Sequence, residues 1–411
     1  MAFYLLASIL VSLLAGSSAP TPLYPLYQSV WGFSPIATTV VFGSYALAVL
    51  GSLLVLGRIS DHVGRRAVLL VALAIQVVTM VVFATADGLG MLLIARVLQG
   101  LSTGAAIGAV GAGLLDIDRA RGTTANAVAP LTGTALGAIG SGLLVQFLPI
   151  PTHLVYLVLV AVFTAQWIGV LLMPETSRPI PGAARSLRPV FALPGAVRRP
   201  MLAAIPALVA LWSLAGFYAS LGPALVRRVV GSTSLFLGGL ALFLLAASAG
   251  IAVLILNASS ARRMTVLGVA GLLAGSVVTF GGLASLSPAV LTVGMLVSGA
   301  GFGAAFQGAV RSVVARAQEH QRAGVLSLVY VVSYLAFGLP AVIAGYLVVD
   351  AGGVLSTAKE YAVAVVLLAA LAGAGVLREV RRSRIAPADP REVAWAGERA
   401  AVAARQPAGR P

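Results

Sequence analysis

One charged residue lies inside an apolar stretch of this chain. Arg96 is about seven residues into the run of residues 89–115, and Gln99 and Gly100 follow it. At 1.5 Å of rise per helical residue, Arg96 would lie about 10 Å from the nearer end of the run. A charge at that depth in a membrane costs at least ~2.5 kcal/mol, so we expect Arg96 to face a water-filled cavity or a polar partner. The alternative is an arginine that is hydrogen-bonded to backbone carbonyls.

A second group of charges lies between two apolar runs, in residues 57–66. Gly57 and Gly64 supply the backbone freedom that a tight reversal needs. Asp61 is an acid among arginines, and it either pairs with one of them or contacts the positive end of a neighbouring helix. The helix contact is worth roughly 0.3–1 kcal/mol when exposed. Because either contact can be made and broken, we interpret Gly57, Asp61, Gly64, Arg65 and Arg66 as a conformational latch.

Aromatic and polar side chains recur in three apolar runs of the second half. Aromatic residues line apolar pockets, in which a few polar groups orient the ligand. Tyr330, Tyr334 and Phe337 recur at helical spacing and share one face. The alternative for each residue is ordinary packing or contact with lipid. The candidates for a substrate pathway here are Trp212, Phe217, Tyr218, Phe302, Phe306, Gln307, Tyr330, Tyr334 and Phe337.

The composition excludes a water-soluble domain. Of the 411 residues 59% are hydrophobic and 9% are charged, whereas soluble domains carry roughly 25% charged residues. The net charge of +15 would suggest a nucleic-acid partner for a soluble protein. Here the arginines fall between the apolar runs and in the tail, so we expect no nucleic-acid binding. Without cysteine the chain forms no disulfide or thiolate metal site, and we expect no metal and no other cofactor.

Twelve apolar runs are long enough to cross a bilayer as helices. The first lacks the positive n-region of a signal peptide, so we expect it to be retained. A proline-rich stretch divides the runs six and six, which predicts a first bundle (1–173), a linker (174–200), a second bundle (201–377) and a tail (378–411). The runs are residues 3–24, 36–56, 67–86, 89–115, 123–148, 154–173, 201–225, 232–256, 264–286, 288–310, 323–349 and 361–377.

Loop charge predicts the orientation. Arginines occupy alternate loops, the linker and the tail, which places those segments and both termini in the cytoplasm by the positive-inside rule. The exceptions are Arg227, Arg228 and Lys359, and the arginine pair either reaches the membrane interface or marks the mouth of a cavity. Basic residues just after the last run favour contact with anionic membrane lipids.

The two halves also resemble each other. Residues 104–106 (Gly-Ala-Ala) recur as residues 303–305, and residues 108–110 (Gly-Ala-Val) recur as residues 308–310. With the six-plus-six division, these matches favour parallel repeats that place a substrate site between them at mid-membrane.

Several motifs resemble those of major facilitator superfamily transporters. Residues 57–66 resemble the family pattern G-x-x-x-D-[RK]-x-G-R-[RK], except that His62 stands where the family carries Arg or Lys. Arg96, Gln99 and Gly100 resemble the fourth-helix pattern R-x-x-Q-G, which implies a role in proton movement or substrate contact. Residues 137–142 resemble a degraded form of the antiporter pattern G-P-x-x-G-G. The chain is most similar to the twelve-helix drug/proton antiporter group.

The fifth run is rich in small residues. Small residues at spacings of three and four let two helices approach closely, and this packing is the alternative to the antiporter interpretation. Thr132 is a further candidate for the substrate or proton pathway. The glycines that we assign to helix packing are Gly133, Gly137, Gly140 and Gly142.

The helix interiors hold no Asp, Glu, Lys or His. A buried cation needs a counter-charge, so we expect a neutral, zwitterionic or anionic substrate, with Arg96 as the fixed central charge. If protons are coupled, the titrating group is an acid near a helix end such as Asp61 or Asp116, a histidine such as His62, or the substrate itself. There is no phosphate-binding loop, which excludes direct ATP hydrolysis.

The resemblance implies an all-α integral membrane protein with twelve transmembrane helices in two pseudo-symmetric six-helix bundles. We expect a monomeric secondary active transporter of the cytoplasmic membrane, not an enzyme, which exports drug-like or amphiphilic compounds in a proton-coupled cycle of alternating access. In that cycle Asp61 would contact the start of the eleventh helix near Ala323. The alternatives are a carrier of sugars or other metabolites and a non-transporting membrane receptor.

Overall fold

The chain folds into helices that follow the predicted apolar runs. The computed structural model describes residues 1–177, 180–232 and 234–385, and within these ranges it contains helices and turns but no β-strand. Twelve segments there are long and apolar enough to cross a membrane, which confirms the predicted fold class. The helices are α1 Ala2–Ser18, α2 Tyr24–Trp31, α3 Pro35–Leu56, α4 Ser60–Val63, α5 Arg65–Ala84, α6 Leu89–Ile117, α7 Arg119–Phe147, α8 Pro151–Leu172, α9 Ala183–Ser186, α10 Gly195–Ser220, α11 Gly222–Val230, α12 Leu235–Ile255, α13 Ala261–Ser285, α14 Pro288–Val314, α15 Arg322–Asp350 and α16 Gly353–Ile385.

Some helix ends differ from the predictions. The first span continues to Trp31 rather than ending near Tyr24, because the chain bends at its prolines and then resumes a helix. α10 begins at Gly195, inside the predicted linker, and continues through Pro200, although a proline removes one backbone donor of a helix. α16 runs to Ile385, past the predicted end at Leu377. The rest of the predicted tail, residues 386–411, lies outside the described residues.

Buried apolar side chains form separate clusters in the two halves of the chain. One cluster draws only on residues 6–173. The largest cluster draws on residues 207–372, joined by Phe42 and Ala138 from the first half. Each half therefore has an apolar core of its own, and the second core extends to the contact with the first half.

Two helix pairs make the largest contacts between the halves. α3 packs against α15, and α7 packs against α12. At the second contact, a Cβ atom added to Gly239 would lie 2.2 Å from the carbonyl oxygen of Ala138. Only glycine permits that approach between the two backbones.

The two ends of the bundle carry different contacts. We call the end that holds residues 57–64, 173–177 and 180–194 the linker end, and the end that holds residues 19–34, 221–232 and 234 the far end. At the far end, Thr21 Oγ1 donates a hydrogen bond of 3.1 Å to the carbonyl oxygen of Ala219. Nearby, Gln146 Oε1 accepts hydrogen bonds from Ser234 Oγ at 3.1 Å and from the Leu235 N–H at 2.9 Å. The halves are therefore closed on each other at the far end.

The first span of each half is broken in the same way. α1 is followed by a 3-10 turn and the short helix α2, and α10 is followed directly by the short helix α11. α2 ends at Gly32 (φ 68°) and α11 ends at Gly231 (φ 70°), both in the left-handed conformation that favours glycine. The repeated break agrees with the sequence repeat and places α2 and α11, which contact each other, at the far end.

Candidate functional site

The predicted latch loop is organised by a carboxylate outside it. Glu175, which follows α8, accepts hydrogen bonds from the backbone N–H groups of Arg65 (2.9 Å) and Arg66 (3.0 Å). These are the first residues of α5, whose free N–H groups attract a negative charge. Gly64 precedes them at φ 96°, and a Cβ atom there would lie 2.5 Å from Glu175 Oε2. The loop therefore requires glycine at position 64 for both its conformation and this contact.

The side chain of Arg65 connects three polar groups of the loop and of α6. Asp61 Oδ1 accepts a hydrogen bond from Arg65 Nη1. The same nitrogen donates to Ser60 Oγ at 2.8 Å, and Arg65 Nε donates to Asp116 Oδ2 at 3.3 Å. The Arg65 side chain is 8% exposed, whereas that of Asp61 is 43% exposed. Asp61 thus pairs with an arginine of its own loop, and its predicted contact near Ala323 stays a prediction.

Arg66 binds the end of the sixth span. Its Nε donates to the carbonyl oxygen of Val170 at 3.2 Å, and its Nη2 donates to that of Leu171. A cation at the carboxyl end of a helix is stabilised by the helix dipole and satisfies free carbonyls. The two arginines of the motif therefore tie α5 to α6 and to α8.

Arg96 is fully buried in the first half and has several partners. Its Nη1 donates to the carbonyl oxygen of Ser17 at 2.8 Å and to Gln99 Oε1 at 2.7 Å, and its Nη2 donates to Tyr24 OH at 2.6 Å. The guanidinium carbon also lies 5.3–5.7 Å from the ring centroids of Tyr24, Tyr45 and Phe83. The charge is therefore held by neutral groups, as in the alternative of an arginine bonded to backbone carbonyls.

Gln99 and Gly100 fix the surroundings of Arg96. Gln99 Nε2 donates to the carbonyl oxygen of Gly16 at 3.0 Å, which joins α6 to α1 a second time. A Cβ atom on Gly100 would lie 2.7 Å from the carbonyl oxygen of Tyr45, so α6 and α3 touch along their backbones. This contact brings the Tyr45 ring against Arg96.

A cavity of about 110 Å³ lies between the two halves. Of the predicted pathway residues, Trp212, Phe302, Tyr334 and Phe337 line it. Arg96 stands behind the cavity wall that Ser17 and Tyr45 form. The full lining is Leu14, Ser17, Ser18, Thr21, Phe42, Tyr45, Pro130, Leu131, Thr134, Trp212, Ala215, Ala219, Leu242, Leu245, Ala246, Phe302, Tyr334 and Phe337.

The other predicted pathway residues lie elsewhere. Phe306 packs edge-on against Trp212, with ring centroids 5.4 Å apart, but is not part of the cavity lining. Tyr218 is buried in the core of the second half. Gln307 and Tyr330 are partly buried and also lie outside the lining. Helical spacing in the sequence did not distinguish these residues from the ones that line the cavity.

Thr132 lines a different space, an open groove of about 650 Å³. Side chains near the starts of α1 and α7 form most of this groove, together with Leu254 near the end of α12. The groove therefore lies toward the linker end, where the inter-half contact from Asn257 Nδ2 to Thr124 Oγ1 is 3.4 Å long.

Three of the four glycines in the fifth span make close helix contacts. A Cβ atom would lie 2.2 Å from the carbonyl oxygen of Val11 at Gly133, 2.2 Å from that of Ala15 at Gly137, and 3.1 Å from that of Phe236 at Gly142. Gly140 was predicted to pack in the same way, but no neighbouring atom lies within 4 Å of its Cβ position. Gly140 follows Gly133 by seven residues and so lies near the same face of α7, but α1 ends at Ser18 and no atom of the described residues fills the space beside it.

Sequence reasoning missed Glu175 and Tyr45. Glu175 carried a usable signal, because it is an acid placed directly after an apolar run, at the start of a linker rich in arginine. Tyr45 carried none, because it is one aromatic residue in an apolar run. Its proximity to Arg96 depends on how α3 packs against α6.

Comparisons with known proteins agree with this architecture. A sequence model described as the Major Facilitator Superfamily matches residues 5–276. No curated protein matches the chain in sequence. The crystal structure of the nucleoside transporter NupG (D323A mutant) has a TM-score of 0.67 at 12% identity and covers 92% of this chain and 98% of that chain. The crystal structure of the human organic anion transporter MFSD10 (TETRAN) has a TM-score of 0.62 at 19% identity, with coverages of 90% and 98%. Similarity at these identities concerns the fold alone.

Proposed function

Because the chain belongs to the Major Facilitator Superfamily, and is thus a multi-pass membrane transporter of small molecules, we propose that it exports amphiphilic compounds by alternating access. The observation that carries this proposal is the cavity between the halves, to which both halves contribute lining residues. A site shared by two bundles can open to either side when the bundles rock against each other.

The far-end contacts favour such a cycle. The hydrogen bond from Thr21 to Ala219 joins the halves on that side of the cavity. The rings of Phe42 and Phe337, which line the cavity, also pack across the halves with centroids 4.7 Å apart. Opening the far end would require these contacts to break. The Asp61–Arg65 pair at the linker end is the element that would bias the cycle toward one conformation.

Arginine placement supports a cytoplasmic linker end. Residues 57–66 and the linker carry eight arginines, and basic loops face the cytoplasm. Both termini would then be cytoplasmic in the cell membrane. The exception at the far end is the pair on α11, where burial lowers the pKa of Arg227.

The cavity lining favours amphiphilic compounds over sugars. Its walls are mostly aliphatic and aromatic, whereas a sugar needs several polar partners in its site. The carrier of sugars or other metabolites is the second candidate, since one structural neighbour is named a nucleoside transporter and another an organic anion transporter. A non-transporting receptor would have little use for the Asp61–Arg65 pair.

Proton coupling would use groups at the linker end. Asp61 and Asp116 share Arg65, so a proton taken up by either carboxylate would weaken one of its two ion pairs. His62 Nδ1 lies 2.9 Å from the carbonyl oxygen of Ile180, which joins the same loop to the linker. Protonation of one of these groups would therefore weaken a contact that holds the loop in this conformation. The protein would then exchange protons for an exported compound.

Efflux and the role of Asp61 can be tested together. The protein is expressed in an efflux-deficient host, and export of neutral, anionic and cationic compounds is measured. We expect wild-type protein to raise export above the empty vector, and Asp61→Asn to slow it by up to about fivefold, because a partly exposed ion pair is worth ~0.2–1 kcal/mol. Membrane insertion should be unchanged.

The matched control is Asp87→Asn, which neutralises an exposed acid far from the loop. It should export like the wild type. If no compound is exported by wild-type protein that is present in the membrane, the metabolite carrier becomes the better proposal. If Asp61→Asn exports at the wild-type rate, the interpretation of this loop as a conformational latch is wrong.

A further inference from the structure

Trp212 is the centre of an aromatic cluster beside the central cavity. Its ring lies edge-on to those of Phe302, Phe306 and Phe337, each with a centroid 5.4 Å away, and stacks on that of Tyr334 at 6.1 Å. The indole N–H is buried and has no hydrogen-bond partner among the described residues. A buried donor without a partner is costly. The N–H has almost no accessible surface in this conformation, so an acceptor in the cavity would remove that cost once the indole ring turned the N–H toward it.

The serine and threonine donors around the cavity are already used. Ser17, Ser18, Thr21 and Thr134 each donate to a backbone carbonyl oxygen at 2.8–3.1 Å. Their hydroxyl protons are therefore committed within the protein. The Trp212 N–H differs from them because its hydrogen-bonding capacity is unmet.

The charge around the cavity is positive. Tyr45 lines the cavity, and the Arg96 guanidinium lies 5.3 Å from the centroid of its ring. No acidic side chain lines the cavity, and the hydrogen bonds of Arg96 go to neutral groups. A cationic ligand would thus lose its hydration next to a fixed cation, without a counter-charge. An anionic or neutral acceptor would meet a favourable potential.

The size of the cavity limits the apolar part of the ligand. Its volume is about 110 Å³ in this conformation, and an apolar cavity of about 150 Å³ in another protein accepts benzene. The closed site is therefore about one aromatic ring in size, and the aromatic side chains around Trp212 suit a flat ring.

We propose that the substrate is a flat apolar molecule carrying an anionic or neutral hydrogen-bond acceptor, which Trp212 Nε1–H binds while Arg96 disfavours cations. This inference rests on the proposed function, because it names the substrate class of the same cavity. Trp212 fixes the position of the acceptor. Arg96, which lies behind the Tyr45 ring, determines which ligand charge is preferred.

The test is a binding measurement on the full chain in lipid nanodiscs. The probes are phenylacetate, phenylacetamide and phenethylamine, which share a benzyl group and differ in charge, with ethylbenzene as the probe that lacks an acceptor. For the wild type we expect phenylacetate to bind at least about tenfold more tightly than phenethylamine, with phenylacetamide between them. This comparison needs no variant and so does not depend on the folding of one.

Two variants show which residues cause the binding selectivity. Trp212→Phe keeps an aromatic ring but removes the N–H. It should therefore weaken the binding of phenylacetate about tenfold and leave the affinity for ethylbenzene unchanged. Arg96→Gln should bring phenylacetate and phenylacetamide to nearly equal affinity. The matched control is Trp167→Phe, because the Trp167 N–H already donates to the carbonyl oxygen of Leu70 at 3.0 Å, away from the cavity. This control should keep the wild-type selectivity.

Phenethylamine binding as tightly as phenylacetate would overturn the inference, and so would a Trp212→Phe variant with unchanged affinity for phenylacetate. These outcomes are separable from failure of the proposed function. A protein that exports compounds but prefers the amine contradicts only the substrate class. A protein that shows the expected selectivity but exports nothing contradicts only the proposed export.

Discussion

At the scale of single residues, Arg96 shows how a buried charge is tolerated. Three hydrogen bonds from a charged donor contribute roughly 1.5–3 kcal/mol each, and three aromatic faces add roughly 0.5–1 kcal/mol each. Together they exceed the ~2.5 kcal/mol that is the lower bound for placing arginine in a membrane helix. Arg96 therefore has bonded partners without a ligand, although its buried Nε has none among the described residues, and it joins α6 to α1 and α2 through Ser17 and Tyr24.

This role predicts a loss of stability when the guanidinium is replaced. Arg96→Lys keeps the charge, but one ammonium group cannot reach Ser17, Gln99 and Tyr24 in the geometry of the guanidinium fork. We expect a melting temperature about 5 °C lower, measured on detergent-solubilised protein by size-exclusion chromatography after heating. Arg228→Lys, at an exposed position, should melt like the wild type. An unchanged melting temperature with lost transport would show that Arg96 acts on the substrate rather than on the bundle.

At the scale of the helices, the contact between α1 and α7 depends on the absence of side chains at two positions. Gly133 and Gly137 bring the α7 backbone against the carbonyl oxygens of α1, whereas Gly140, one turn further, has no neighbour. The three glycines look alike in the sequence, and their surroundings in the fold differ.

The same substitution should therefore have opposite effects at two of these glycines. Gly137→Ala places a Cβ atom 2.2 Å from the carbonyl oxygen of Ala15, so we expect a destabilisation of about 1–3 kcal/mol from overpacking. Gly140→Ala should stabilise α7 by roughly 0.5–1 kcal/mol, since alanine is the better helix former. Thermal unfolding of the two variants measures both effects. Equal changes in the two variants would mean that α1 and α7 do not touch as described.

The helices were predictable from sequence because each apolar run has about the length that a bilayer requires. The latch loop was also predictable as a unit, since its glycines and charges lie within ten residues. Its cap by Glu175 was not, because that carboxylate is 110 residues from Arg65 in sequence. Tyr45 was missed for the same reason, because it is distant from Arg96 in sequence. Spacing along α14 and α15 did not show which aromatic residues line the cavity.

At the scale of the whole molecule, contacts between the halves distinguish the two ends. The far end is held by Thr21, Gln146, Ser234 and the broken helices α2 and α11, while an open groove lies toward the linker end. If the linker end is cytoplasmic, the groove in this conformation opens toward the cell interior, and the far-end contacts close the bundle on the outside. Transport by alternating access then requires the far-end contacts to separate in every cycle.

The most direct test is a reversible cross-link across the far end. The chain has no cysteine, so Gln146→Cys with Ser234→Cys gives a unique pair at two side chains that are hydrogen-bonded at 3.1 Å. The control pair is Asn257→Cys with Arg311→Cys, whose side chains are bonded at 3.0 Å within the second half. Both pairs are joined with a short, reducible, thiol-specific reagent, and transport is measured before and after reduction.

We expect the far-end cross-link to abolish transport and reduction to restore it, because the closed far end would then be unable to open. The control cross-link should leave transport unchanged, since it connects parts of one half. Undiminished transport by fully cross-linked Gln146→Cys/Ser234→Cys protein would contradict alternating access through the cavity between the halves.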